Sequence, residues 1–455
     1  MKIPLFKGQK QFYKTLFIIS VPIMFHDFIG AMSNIFIVTW IARLGIREMA
    51  AVSLGSQVFN IYANIVIGIT VGGTVFVAQF WGKRDVAGIR KTMGLCICIN
   101  LCIALLFTLG AILIPARLIG IFSNDPLVIE KGAGYLYRLS PMFFPYTILI
   151  VFVLVLRSVE KPHLPAMAAF ISLISKAVLS YLFMFGIGPI PAMGINGIAL
   201  ASIFQIFMEL VINLSMTFIL RYPPAAKFKE YFSFDRMFMR RYIGIAMPVI
   251  VNFCLWVFGS SIKVFIMARS STEAIASYNL TNTIFGLTWV VFVGLGNGTG
   301  ILIGKKIGEG NELEARSHAS KIVRFMPLMS LCMICILLIL SNILLRFMDV
   351  NPEIVPIVSR MIIVLCAVYP LMAFNQAMIG GICRSGGDTF FSMLNDLTPG
   401  WTIVYPLGLA ACFIFHLPAH LLMLCLMLEE PLKTLMGLLR FKSGKWLHYI
   451  IHPNN

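Results

Sequence analysis

The sequence predicts an all-α integral membrane protein: twelve transmembrane helices in two pseudo-symmetric six-helix bundles, with both termini cytoplasmic. Three observations predict it. Of 455 residues, 59% are apolar and only 12% charged, against about 25% charged in soluble domains. Apolar runs of roughly 20 residues, the length that crosses a bilayer, alternate with short charged breaks. The second half of the chain also repeats the first. This composition excludes a soluble enzyme and a disordered chain. The net charge of +17 would point to nucleic acid in a soluble protein; here it reads as topology, and no nucleic-acid partner is expected.

Taken in order, the expected spans are 16–41, 50–80, 93–116, 133–157, 164–187, 193–220, 241–268, 275–303, 325–345, 355–382, 392–416 and 418–439. The opening MKIPLFKGQKQFYKTLFIISVPIMF has no small-residue cleavage site after its apolar run, so a retained first helix is expected. With the N-terminus inside, 26 Lys and Arg fall on inner segments and 6 on outer ones. Basic residues collect in cytoplasmic loops, and this asymmetry sets the orientation. The remaining four, Arg138, Lys176, Lys263 and Arg360, fall within spans. The ten cysteines lie mostly inside apolar runs and read as small buried hydrophobes.

At a constant offset of 226, Pro22 meets Pro248, Ala42-Arg43 meets Ala268-Arg269, and Gly68 and Gly72 meet Gly294 and Gly298. Arg157-Ser158 meets Arg384-Ser385 at offset 227. Each half therefore holds six spans, and an even number makes the halves parallel. The domain reading is an N-terminal lobe over 1–222 and a C-terminal lobe over 223–455, joined by the basic loop 221–241. Such a duplication is expected of an alternating-access carrier whose substrate site lies between lobes near the midplane. The small-xxx-small pairs allow close helix approach, or a bend where a cavity forms.

The order and spacing of several segments carry a family resemblance. They are WIARLGIREMAAVSLGSQVFN after Asn34, FWGKRD (80–85), LRSVEKPHLP (156–165) and SYLFMFGIGPIPAMGINGIALA (180–201). In the second half they are CLWVFGSSIKVFIMARSSTEAIASYNL (254–280), GKKIGEGN (304–311), CRSGGDT (383–389) and FKSGKWL (441–447). The chain resembles the multidrug and toxic compound extrusion (MATE) transporters. The resemblance implies a multi-pass protein of the cytoplasmic membrane that exports organic, often cationic, small molecules. A proton or sodium gradient would drive it, with H+ or Na+ as coupling ion and no other cofactor. It also implies a monomer in contact with membrane lipid.

The chain departs from the family at the coupling carboxylates that the resemblance implies. The first-span aspartate falls on Ile37, and the fifth-span aspartate on Ser180 with Lys176 beside it. The seventh-span glutamate of some members falls on Trp256, and their tenth-span aspartate on Ala373. Intramembrane charges are expensive in hydrocarbon, so those that remain become candidates. Asp27 and Asn34 share roughly one face of the first span. Lys176 precedes Ser180 by one turn, Glu209 lies in the sixth span, and Lys263 takes the repeat position of Ile37. Lys176 is expected to pair with Asp27 or Glu209, mimicking an ion-loaded state, or to exchange protons itself. The structural alternative is a lysine that snorkels or pairs for stability alone.

The substrate- or ion-binding candidates are thus Asp27, Asn34, Gln57, Lys176, Ser180, Glu209, Trp256, Lys263 and Asn282. The amides among them suit either cleft lining or helix–helix bonding. Asp396, Glu429 and Glu430 are expected to be structural. His416 and His420 have metal-ligand spacing but no third ligand, so no metal is expected. No catalytic residues are assigned, and no nucleotide loop or Ser/His/Asp arrangement points to an enzyme. The alternative function is a flippase for an anionic lipid-linked oligosaccharide, since lysines in a cleft suit a pyrophosphate.

Overall fold

The computed structural model describes residues 9–41, 45–186, 191–347 and 352–451, and among them it is helical. Six long helices make the first repeat: α1 (Gln9–Ile41), α2 (Ile46–Lys83), α3 (Val86–Leu113), α4 (Pro126–Ser158), α5 (His163–Phe185) and α6 (Ile195–Ile219). The second repeat begins with α7 (Arg236–Ser270), α8 (Thr272–Gly308), α9 (Glu312–Phe347) and α10 (Val355–Cys383). Among the described residues, ten helices are long and apolar enough to cross a membrane, and these are the ten.

The last two expected spans are helical but interrupted. In α11 (389–413) a π-helical turn, Gly400–Val404, separates Thr389–Pro399 from Tyr405–Phe413. In α12 (419–443) the helix breaks at Leu428 between Ala419–Met427 and Glu429–Ser443. A second π-helical turn, Ala377–Cys383, ends α10. Such turns widen the helix and break the regular i→i−4 ladder.

Local chemistry explains the helix starts. Asp85 and Asp125 each cap a helix by accepting from the backbone N–H of Gly88 at 2.8 Å and Leu127 at 2.9 Å. Pro126 follows at the first helical position, where its missing N–H costs nothing. Ser271 accepts from Ala274 N at 3.0 Å to start α8. Its repeat equivalent before α2 is Gly45, at φ 129, which spans the same join with backbone freedom instead.

The chain divides into two compact units, Phe25–Met247 and Met1–Met24 with Pro248–Asn455. This differs from a cut at 222/223, because the opening segments of α1 and α7 are exchanged between units. The exchange points lie beside the repeat-equivalent Pro22 and Pro248. Small residues explain the packing of the exchanged segments. Gly72 of α2 lies against Ala246 of α7, where an added Cβ would come 2.6 Å from the alanine Cβ. Gly298 of α8 lies against the side chain of Ser20 of α1, and Ser20 and Ala246 are themselves repeat equivalents. Gly72 and Gly298 of the small-xxx-small pairs therefore serve close helix approach.

The helices α2 and α8 form the interior of their units, with 67% and 56% of an 18-residue apolar stretch in each buried. Their repeat neighbours α3 and α9, at 28% and 22%, turn Leu105, Leu106, Leu328 and Leu331 outward. In water such leucines would be a liability; against acyl chains they are already solvated.

Candidate functional site

The first unit buries a chain of polar groups from four helices. Asp27 of α1 accepts from Arg157 Nη2 of α4 at 2.8 Å, and its Oδ1 lies 3.3 Å from His26 Nδ1. The other ring nitrogen, His26 Nε2, lies 3.4 Å from Glu209 Oε1 of α6. That separation is an ion-pair distance, and it falls outside hydrogen-bond geometry. Ser172 of α5 donates to Glu209 Oε2 at 3.2 Å. Lys176, one turn further along α5, is half-buried and has Glu209 as its electrostatic partner. Among the described residues it makes no ion pair shorter than 4 Å. One more turn on, Ser180 is 1% exposed and its Oγ has no hydrogen-bond partner among the described residues. Positions 172, 176 and 180 thus line one face of α5 at helical spacing.

The cluster combines cost with incomplete compensation. Glu209 is 5% exposed, a burial that a carboxylate tolerates only with partners. Yet His26 Nε2, Arg157 Nε and Ser180 Oγ are all buried without hydrogen bonds among the described residues. Groups left in that condition favour any event that brings them a proton, an ion or a polar ligand.

The second unit holds a denser ionic cluster. Lys263 of α7 donates to Glu429 Oε1 of α12 at 2.6 Å. Lys433, one turn beyond Glu429, lies 3.6 Å from it and donates to Asp396 Oδ1 of α11 at 2.9 Å. Asn252 of α7 donates to the second oxygen of Asp396 at 3.0 Å. Asn375 of α10 donates to Glu430 Oε2 at 2.8 Å, and Thr434 donates to Asn375 Oδ1 at 3.1 Å. The break in α12 places Glu429 and Glu430 in the first turn of a new helix, where the dipole favours carboxylates. The π turn of α11 makes the room: a Cβ on Gly400 would sit 2.9 Å from Glu429 Oε2.

The two units can be compared at one repeat-equivalent pair. Arg157 and Arg384 correspond, as do Asp27 and Phe253. In the first unit the arginine pairs with the aspartate; in the second its guanidinium lies 5.7 Å from the Phe253 ring. The same position serves an ion pair in one repeat and a cation–π contact in the other.

Of the residues chosen from sequence, Asp27, Lys176, Ser180 and Glu209 fall in the first cluster, and Lys263 in the second. The partner of Asp27 is Arg157, not Lys176. Gln57 and Asn282 are half-buried on α2 and α8, while Trp256 is 56% exposed on α7. The side chain of Asn34 lies outside the described residues. Sequence reasoning missed His26, Ser172 and Arg157, and it placed Arg157, Arg384 and Lys433 among the topology-setting loop cations. Their matched register, Arg157-Ser158 over Arg384-Ser385, was the available signal. Asp396, Glu429 and Glu430 join the second cluster, and among the described residues no group of three metal-ligating side chains occurs.

Comparison with known proteins agrees with this architecture. The MatE family model matches residues 22–182 and again 248–395, one match per repeat, starting on the equivalent prolines. A probable multidrug resistance protein NorM of Mesorhizobium japonicum is 24% identical over 83% of this chain and 82% of its own length. The multidrug resistance protein MdtK of Edwardsiella ictaluri is 22% identical over 79% of each chain. Among solved structures, an aspartate-to-asparagine mutant of the Vibrio cholerae transporter VcmN superposes with a TM-score of 0.87 at 15% identity. That match covers 97% of this chain and 99% of that one. A MOP superfamily transporter from Pyrococcus furiosus, described as having a binding pocket of reverse polarity, superposes at 0.84 with 16% identity over 95% of each chain.

Proposed function

We propose, from the premise that this chain belongs to the MATE family of multi-pass membrane transporters, that it exports organic solutes, cationic drugs among them, by alternating access coupled to an ion gradient. The observation that carries the reading is the under-compensated cluster of His26, Asp27, Arg157, Lys176 and Glu209 in the membrane-spanning part of the first unit. A carrier needs a buried group whose charge state changes during the cycle, and such groups are costly unless functional. The family carboxylates are missing at Ile37 and Ser180, and this cluster supplies carboxylates from α1 and α6 in their place. The names of the relatives support multidrug export as the activity.

An anionic substrate, such as a lipid-linked oligosaccharide pyrophosphate, is the second reading. Lys176 without an ion pair among the described residues favours it, because a free ammonium attracts phosphate. Ethidium efflux from proteoliposomes, with pH and sodium gradients imposed separately, tests the choice. Gradient-driven ethidium movement supports the exporter; its absence, with lipid-linked intermediates accumulating in a deletion strain, supports the flippase.

A further inference from the structure

We infer that His26 is the proton-binding site of this transporter, its imidazole taking up and releasing H+ between the carboxylates of Asp27 and Glu209. The inference rests on the proposed transport reading and deepens it by naming the coupling ion and its seat. Three features of the geometry carry it.

The ring is addressed from both sides. Nδ1 lies 3.3 Å from Asp27 Oδ1 and Nε2 lies 3.4 Å from Glu209 Oε1. Neutral imidazole has one N–H and one lone pair, so it can serve one carboxylate as donor while facing the other with its acceptor nitrogen. Only the imidazolium donates to both. The arrangement therefore discriminates between the two protonation states of one side chain.

The surrounding charges are near balance without that proton. Asp27 on α1 and Glu209 on α6 face Arg157 on α4 and Lys176 on α5, with the Tyr146 hydroxyl of α4 within electrostatic reach of Glu209. Counted formally, two anions meet two cations, and protonated His26 adds one positive charge. A cationic solute near the cluster is repelled after the proton arrives, and its binding favours proton release. That opposition is the linkage an antiporter requires. The proton enters from water on one side, occupies a ring nitrogen and returns to water on the other.

The contacts are also unfinished. His26 Nε2 and Arg157 Nε are buried with no hydrogen-bond partner among the described residues. A 3.4 Å separation tightens to a charge-assisted hydrogen bond when the ring nitrogen carries a proton and both helices move by a few tenths of an ångström. In the second unit, the repeat equivalent of His26 is Asn252, which bonds Asp396 at 3.0 Å and carries no exchangeable charge. The proton site thus belongs to one repeat.

The test uses full-length protein in proteoliposomes with ethidium as the probe. In His26→Gln that purifies as folded protein, efflux driven by an imposed pH gradient falls by about tenfold or more and no longer varies with the size of that gradient. Undiminished pH-driven efflux in His26→Gln overturns the inference. Ring-labelled histidine NMR of the wild-type protein decides independently of transport. The signal lost in His26→Gln titrates, and its midpoint moves in Glu209→Gln. A signal that does not titrate, or is indifferent to Glu209→Gln, also overturns it. If wild-type protein moves no ethidium under any gradient, the exporter reading fails, and the NMR titration still judges the histidine.

Discussion

In the second unit, Glu429 takes Lys263 at 2.6 Å and Lys433 at 3.6 Å, and Asp396 takes Lys433 and Asn252. Each carboxylate has at least one donor from another helix, so α7, α10, α11 and α12 are tied by one network. In the first unit the helices α1, α4, α5 and α6 meet through a histidine at long range, a lysine without a close partner and a buried serine with none among the described residues. The carboxylates of the second unit's cluster are each paired, although Arg384 Nε and the Asn395 amide are buried in that unit without hydrogen bonds among the described residues. Paired carboxylates hold helices rigidly, and partly paired ones leave more freedom to rearrange. The difference fits the second cluster to holding helices together and, under the proposed transport reading, the first to handling a coupling ion.

The largest expected effect is on the paired cluster. Glu429→Leu strands Lys263 and leaves Asp396 as the remaining ion pair of Lys433 within 4 Å among the described residues, and breaking a buried pair in this way costs about 3–5 kcal/mol. The thermal unfolding midpoint in detergent should fall sharply. Lys263→Met combined with Glu429→Leu removes both charges, and the double variant should regain most of the loss. Equal damage from single and double variants would dissolve the contrast between the clusters.

Next in size, Gly400→Ala pushes a methyl against the Glu429 carboxylate and should destabilise by about 1–3 kcal/mol, read by the same melt. Lys176→Asn is the counterpart in the loose cluster. Having no close ion pair to lose among the described residues, it should alter stability by about 1 kcal/mol or less while changing the ion dependence of transport. Unchanged ion dependence would remove Lys176 from the functional set.

The smallest effect belongs outside the membrane, where Lys91 donates to Asp235 at 2.9 Å. The ammonium holds the Asp235 carboxyl below its ordinary range. A lowered folded-state value means that any stabilisation is present at neutral pH and is lost as pH falls through the acid range. On an exposed pair, Asp235→Asn should leave the neutral-pH melt unchanged within error. A clear shift would mean that the linker 221–235 is fastened more tightly than its exposure suggests.

The spans and the duplication were legible because both are written in local pattern: apolar run length, and Pro and Gly at one offset. The membership of the site was half legible. A charge in a span advertises itself, so Asp27, Lys176, Glu209 and Lys263 could be found; their partners could not. Asp27 and Arg157 lie 130 positions apart, and Lys263 and Glu429 lie 166 apart. Nothing local tells a lysine which of several distant carboxylates it will meet. Arg157 sits at a helix end beside a loop, where a cation ordinarily reads as topology. Histidine counts as neutral in a formal charge tally, so His26 escaped a search made by charge. The π turn of α11 and the break in α12 were equally silent, since such interruptions answer to the buried groups they accommodate.

The assignment of roles is tested most directly by one assay, pH-driven ethidium efflux measured side by side for Asp27→Asn and for Lys263→Met/Glu429→Leu. The account predicts that Asp27→Asn loses gradient-driven efflux by about tenfold or more, while the folded double variant keeps wild-type dependence on the pH gradient. Intact coupling in Asp27→Asn with lost coupling in the folded double variant would contradict it and move the ion site to the second unit.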